Sequence, residues 1–573
     1  MLSKEDHENI EKYFKGTQKE IADADYLYAF DGTFHINPIP DDCIPELRSG
    51  TIDIKVVFPH GYPFESPQSF IKDEKLWIFA HTRMDDGKTC PPDRYKWVED
   101  SSVEAYLDYL NKWFSRAAQN ELELPDDYYE LPQFPIKTNY YLIFVEENPN
   151  SWIRLKNHKI GHFYFSKNEN QLRIKHFDNI NGKSSEKFQK GIYVWLPLEP
   201  IVKYRRPPIY FYELEEVLKK HNLSIKNIID KIFKFKHRGS VVIIGFPIKE
   251  KNKDLPAGIQ WQGFVLDISD FYRILTKKRK GSRIKFWRYY ESSKDEFLDS
   301  VKNEKIVYMD SLNCSKQYMY SRIGGVTKIN NYIIFGCGAI GSHIAFQLAR
   351  AGCNRLSLCD SDRVEPGNIC RHVLDFGDVR KSKAIELCAR LSSINPWGTY
   401  TPYHKDILSL AQESDELKKF LACDLWIDAG LPTEVSSYLF ELSKQNNKRM
   451  LSVYITNKAK YAVIIISGDR GKPTMIEVEQ RLRKSLQESD SGRLRECLSL
   501  LENPEKDIGI RPNTGCYFLT FEATGANISA VSAIAYSVIA NLSEKNYTNG
   551  RSMIYYYDDV KFTYDLIFLE NNK

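Results

Sequence analysis

The sequence holds no Cys-x-x-Cys pair, although it contains 11 cysteines. A structural zinc site of the usual kind needs closely paired thiolates, so that class is excluded. An odd, scattered set also lacks the even framework of a disulfide-stapled secreted domain. The N-terminal "MLSKEDHENIEKYF" has no apolar signal core, so reduced thiols in a cytoplasm are expected. Long hydrophobic runs are missing as well. The longest, "ISAVSAIAYSVIANL" at 528–542, is too short and too rich in serine to cross a bilayer, so a buried helix and no membrane association are expected. The formal charge of +4 is small for 573 residues and argues against a dedicated nucleic-acid binder. The basic, aromatic-interleaved "KKRKGSRIKFWRYY" at 277–290 then reads as a solvated face. No internal repeat is visible, which removes solenoids and propellers.

What is present is an ordinary globular balance, 42% apolar and 27% charged, in a chain too long for one hydrophobic core. Three domains are expected. Residues 1–130 read as α+β, with a polar helical segment at 4–21 and an alternating strand "TIDIKVVF" at 51–58. A closing helix carries Val103, Tyr106, Leu107, Leu110, Phe114 and Ala117 on one face, with Ser101 and Glu104 as its capping box. The acidic, proline-containing "ELELPDDYYELPQFP" at 121–135 marks a boundary. Residues 131–318 form a middle α+β linker domain of unclear role, with strands such as "SVVIIGF" at 240–246. Residues 319–573 alternate strands (332–336, 355–360, 399–404, 424–428, 450–455, 460–466) with helices (339–351, 382–394, 414–421, 434–445). That alternation predicts an α/β, Rossmann-like domain with a mainly parallel sheet.

The chemistry concentrates in "IIFGCGAIGSHIAFQLARAG" at 333–352, a strand entering Gly-x-Gly-x-x-Gly and then a helix. Gly336, Gly338 and Gly341 let the backbone turn tightly and approach a phosphate at a helix N-terminus. Asp360 ends the next strand, where a carboxylate accepts hydrogen bonds from a ribose. These features suit NAD and ATP equally. The discrimination comes from "DSDRVEPGNICRHVLDFGDVRKSKAIEL", which adds Arg371 and Lys383. A dehydrogenase has no evident need of them. Attack on the α-phosphorus of a triphosphate builds charge on phosphate oxygens and expels pyrophosphate, and fixed cations stabilise that charge. An Asp could hold the magnesium.

These residues resemble the ubiquitin-activating superfamily, which includes the adenylating enzymes of thiamine and molybdopterin synthesis. The resemblance covers about 332–466 and implies ATP with Mg2+ as cofactors. It places Asp360 on the ribose and Asn368, Arg371 and Lys383 on the phosphates. It also puts Asp428, in "DLWIDAGLP", near the metal, although a second acid found in many members is missing there; Arg322 is a possible upstream arginine. Cys516, in "NTGCYFLTFEATGANISA", reads from spacing alone as a buried inert thiol. The resemblance instead makes it the thioester-forming cysteine, with Cys497 as rival.

Near the N-terminus, "FPHGYPFESPQSFI" at 58–71 and "HTRMDDGKTCPPDRYKW" at 81–97 resemble ubiquitin-conjugating enzymes over about 20–118, with Cys90 as the catalytic thiol and Lys88, Arg94 and Lys96 beside it. Thr82 and Arg83 stand where that family has Pro and Asn, leaving His81 or Arg83 as candidates for the missing oxyanion donor. A conjugating domain followed by an activating domain resembles the bacterial fusion enzymes of the CBASS anti-phage systems. That resemblance implies adenylation of a protein C-terminus, a thioester relay from Cys516 to Cys90, and conjugation to an amine. The implied carried protein is a cGAS-like nucleotidyltransferase, the conjugation target is unknown, and a homodimer is expected. The competing readings are a sulfur-carrier adenylyltransferase with an unrelated N-terminal domain, an NAD-dependent oxidoreductase, and a nucleotide-binding scaffold.

Overall fold

The computed structural model describes residues 4–20, 26–39, 41, 43–62, 64–77, 82–83, 86–89, 102–119, 134–144, 159–177, 188–202, 206–234, 239–248, 258–277, 283–321, 331–409, 414–502, 522–542 and 548–570. The chain divides into two compact units, Met1–Tyr318 and Met319–Lys573.

The first unit opens with helix Lys4–Tyr13 and an antiparallel meander of β1 (Phe14–Glu20), β2 (Tyr28–His35), β3 (Thr51–Phe58) and β4 (Gln68–Ile71). The expected helix over 4–21 therefore stops at Tyr13. Gly16 and Thr17 are poor helix formers, and the backbone from Phe14 onward pairs with β2 instead, Phe14 opposite Phe34. Those two rings meet edge to face at 5.4 Å, and Phe34 also touches Phe114 of helix Val103–Ala118. That helix buries Val103, Tyr106, Leu107, Leu110, Phe114 and Ala117, the expected face. Its cap is Ser102 rather than Ser101: the Ser102 hydroxyl accepts from the Ala105 N–H at 3.1 Å. Glu104 reaches out to Lys12 at 3.0 Å instead of back to the cap.

A closed barrel follows: β5 (Ile136–Phe144), β6 (Ile160–Asn168), β7 (Gln171–Phe177), β8 (Gln189–Trp195), β9 (Gly239–Ile248), β10 (Gly258–Asp267) and β11 (Tyr308–Asn313), in the order β10-β11-β5-β7-β6-β8-β9. Closure removes the exposed strand edges. Phe163, Tyr193, Trp195 and Trp261 fill the interior. Glycine is required where they pack, since a Cβ on Gly245 would lie 2.3 Å from the Trp261 ring. Helices Phe211–Lys219, Ile225–Lys234, Ser269–Lys277 and Arg283–Val301 bury their apolar residues against the barrel in a second core.

The second unit is an eight-stranded sheet of β12 (Asn331–Phe335), β13 (Arg355–Cys359), β14 (Thr399–Tyr403), β15 (Leu425–Ala429), β16 (Met450–Ile455), β17 (Tyr461–Ile466), β18 (Arg551–Asp558) and β19 (Thr563–Leu569). The order is β14-β13-β12-β15-β16-β17-β18-β19. Pairings from β14 to β16 are parallel; those from β16 to β19 are antiparallel. Strand 460–466 is thus present but reversed. The link from β16 to β17 is too short for a crossover, which takes about a dozen residues or more. Helices Ala339–Arg350, Lys383–Ile394 and Gly525–Ala540 cover one face; Thr433–Gln445, Met475–Gln487 and Gly492–Glu502 cover the other. The apolar run at 528–542 lies within the buried helix Gly525–Ala540 and its end, and no described helix is long and apolar enough to cross a membrane.

Candidate nucleotide site and the two cysteine segments

The parallel half of the second unit positions the site at the carboxyl ends of β12, β13 and β15. Gly336 turns the chain with φ +88 and its N–H donates to the Cys359 carbonyl at 2.9 Å. Gly341, in the first turn of helix Ala339–Arg350, lies so close beneath that a Cβ there would meet the Gly336 carbonyl oxygen at 1.9 Å. Gly338 faces open space: a Cβ there would meet nothing within 4 Å. These are three different reasons for glycine, and the open one is where a phosphate can approach.

Asp360 is nearly buried at the end of β13. One oxygen accepts the Cys337 N–H at 2.6 Å and the other accepts the Asp362 N–H at 2.7 Å. Burial pushes its carboxyl upward in pKa, opposed by the Lys383 ammonium and these N–H donors. Lys383 is the first residue of helix Lys383–Ile394 and is 8% exposed. Its Nζ donates to Asp362 at 2.8 Å. Asp362 is largely exposed, so the ion pair has its carboxylate at the rim and its ammonium inside. The turn Pro366–Arg371 supplies the other two expected residues, both half-buried. The Asn368 side-chain oxygen accepts the Glu365 N–H at 2.9 Å, leaving its amide N–H groups for other partners. Burial lowers the Arg371 guanidinium's pKa. Helix Gly525–Ala540 starts against this turn, where a Cβ on Gly525 would lie 2.9 Å from the Cys370 carbonyl.

Asp428 lies at the end of β15, 1% exposed, and burial pushes it up to about 6. One oxygen accepts the Leu431 N–H at 3.2 Å; the other accepts the Ser436 and Ser452 hydroxyls at 2.8 and 2.9 Å. The carboxylate thus joins β15, β16 and helix Thr433–Gln445. Among the described residues no group of three or more His, Cys, Asp or Glu converges on a common point.

Sequence reasoning missed His372. Its Nδ1 accepts the Leu374 N–H at 3.0 Å and its Nε2 lies 2.7 Å from the Cys337 carbonyl. A lone histidine after Arg371 gives no spacing signal; only the fold brings it to the glycine turn.

Cys90, His81, Arg94, Lys96, Cys516 and Arg322 lie outside the described residues. The residue before Cys90 is placed: Thr89 is buried and its N–H donates to the Ser69 carbonyl of β4 at 2.9 Å. Arg83 pairs with Asp86 at 3.3 Å and Lys88 donates to Gln68 at 2.7 Å, so both cations already have partners. Cys497 is fully buried and pushed up to about 12 by that burial, which is wrong for a nucleophilic thiolate.

Family comparison places this geometry. Residues 317–486, within the second unit, match the ThiF family, and the sheet there is Rossmann-like in a mixed α/β chain. Residues 120–313 match the Cap2 central linker domain. The chain is 26% identical over 319 residues to the ATP-dependent ubiquitin transferase-like protein Cap2 of Enterobacter hormaechei subsp. hoffmannii, covering 51% of this chain and 52% of that protein. It is also 30% identical over 164 residues to the adenylyltransferase and sulfurtransferase MOCS3 of Xenopus laevis, covering 25% of this chain and 36% of that protein. The chain thus spans about half the length, or less, of these relatives. A structure of E. coli MccB with ATP aligns over 53% of this chain and 92% of that one, at 14% identity and a TM-score of 0.30.

Proposed function

We propose that the chain adenylates a protein's C-terminal carboxylate with ATP, holds it as a thioester on Cys516, relays it to Cys90, and joins it to a target amine. The observation that supports this reading best is the run of a Cap2-type linker into a ThiF domain whose glycine turn leaves Gly338 open. The carboxylate oxygen attacks the α-phosphorus, a P–O bond forms, and pyrophosphate leaves with the bonding pair. Arg371, Lys383 and the Asn368 amide offer hydrogen bonds to the phosphates, and Asp360 sits where the ribose would lie. Magnesium enters with the triphosphate. Asp428 would ligate it through the oxygen that accepts the Leu431 N–H alone, since the other already accepts two serine hydroxyls.

The Cys516 thiolate then attacks the acyl carbon and AMP leaves. Cys516 precedes Gly525 by nine residues, and Gly525 abuts the turn that carries Arg371. Chain reach therefore keeps the thiol within about 30 Å of that turn. The burial of Cys497 favours Cys516 over it. By resemblance to CBASS fusion enzymes, the carried protein is a cGAS-like nucleotidyltransferase, the setting is anti-phage defence in the cytoplasm, and the enzyme is a homodimer. A sulfur-carrier reading would need no thiol at 90, and it leaves the Cap2 linker without a purpose.

The test is a non-reducing gel after mixing variants with ATP, magnesium and a cGAS-like nucleotidyltransferase. Cys516→Ala should abolish thioester at both positions while pyrophosphate exchange persists. Cys90→Ala should leave a thioester at 516 and block the final conjugate. If Cys90 still loads when Cys516 is alanine, the relay is wrong.

A further inference from the structure

We propose that His372 is a positioning residue of the nucleotide site, turning the Gly338 N–H outward to meet a phosphate oxygen. This rests on the adenylation reading of the same site. A backbone N–H can only donate, so the Leu374 N–H fixes Nδ1 as an acceptor without a hydrogen. A carbonyl can only accept, so Nε2 carries the hydrogen and donates it to Cys337. Both partners thus specify the same neutral tautomer. The Cys337 N–H is held in turn by Asp360, so the residue is pinned on both sides. The carbonyl of Cys337 and the N–H of Gly338 belong to one trans peptide and point in opposite directions. His372 is 8% exposed and lies on the inner side. The Gly338 N–H therefore leaves the packed interior, at the residue whose surroundings are open. Anchoring the ring also fixes the backbone of Arg371, its neighbour, so one imidazole holds two phosphate-binding elements in register. Burial keeps the ring neutral, as the geometry requires.

The experiment uses the full chain with His372→Gln, His372→Leu and His372→Asn, and measures ATP–magnesium affinity by calorimetry alongside thermal unfolding. Glutamine carries a donor and an acceptor and can reproduce both bonds. Leucine carries neither, and asparagine is a carbon too short to span both partners. Expected is a loss of ATP affinity of about tenfold or more for leucine and asparagine, with glutamine retaining most of it. A purely structural role would lower the melting temperature without separating glutamine from the others in ATP affinity. The proposal is overturned if folded His372→Leu or His372→Asn binds ATP like the wild type, or if all three variants weaken equally. If the wild type itself binds no ATP, both this proposal and the adenylation reading fall.

Discussion

Two glycines in one turn should fail in different ways. In Gly341→Ala the new methyl would sit 1.9 Å from the Gly336 carbonyl oxygen and 3.1 Å from the Ala429 Cβ. The first contact is more than an ångström inside any tolerable approach, and the obstacle is backbone, which cannot rotate away. The helix start or the turn must move. Overpacking of that kind costs about 1–3 kcal/mol. For a unit of this size each kcal/mol is about 2–4 °C in melting temperature, so a drop of several degrees is expected, together with loss of ATP binding. Gly338→Ala meets nothing within 4 Å, and its φ of -77 suits alanine. Its stability should match or slightly exceed the wild type's, because alanine narrows the unfolded ensemble. ATP binding should nevertheless weaken by about tenfold or more, since the methyl enters the space the phosphate needs. Thermal unfolding and calorimetry on both variants read this out. A Gly341→Ala chain as stable as wild type, or a Gly338→Ala chain that binds ATP normally, would refute the reasoning.

Lys383→Ala and Arg371→Ala should each slow pyrophosphate exchange by about 2–4 kcal/mol of transition-state stabilisation, the scale of losing one preorganised donor. Folding should survive removal of Lys383, because its partner Asp362 is well exposed and can be solvated. Unchanged exchange in both variants would remove them from the phosphate site. Acid should separate wild type from His372→Gln. Burial lowers His372 from 6.5 to about 4, so the unfolded chain takes up the proton first as pH falls. The histidine's contribution is whole above about 6.5 and is lost progressively toward 4, about 3 kcal/mol in all. Asp428, raised to about 6, runs the opposite way over part of that window, and the difference between wild type and variant cancels it. Equal pH profiles in thermal unfolding would contradict the buried, neutral assignment.

Regular, patterned segments were legible in the sequence, and tertiary choices were not. The strand 51–58 and the parallel-half strands appear within a residue of their expected ends, because their apolar runs are bounded by clear breaks. Segment 14–20 has no decisive pattern, and its strand state comes from pairing with β2. The antiparallel direction of β17 depends on a short link rather than on its own residues. Barrel closure was not legible either, since it depends on pairings between strands far apart in the chain, such as β5 with β11 and β8 with β9. The placement of Gly336 and Gly341 in the turn, Asp360 at a strand end and Lys383 at a helix start was legible because these elements impose fixed spacings. His372 acts through a contact 35 residues away in sequence, and Asp428 accepts a hydroxyl from Ser452, 24 residues on; no local pattern encodes either.

The most direct test of the central claim is exchange of labelled pyrophosphate into ATP by the purified full chain. It is run with a cGAS-like nucleotidyltransferase that has either its intact C-terminus or a blocked one. The account predicts exchange only with the free C-terminal carboxylate, abolished by Lys383→Ala and preserved in Cys516→Ala. Exchange that ignores the carboxylate, or tight NAD binding with no ATP binding, would contradict it.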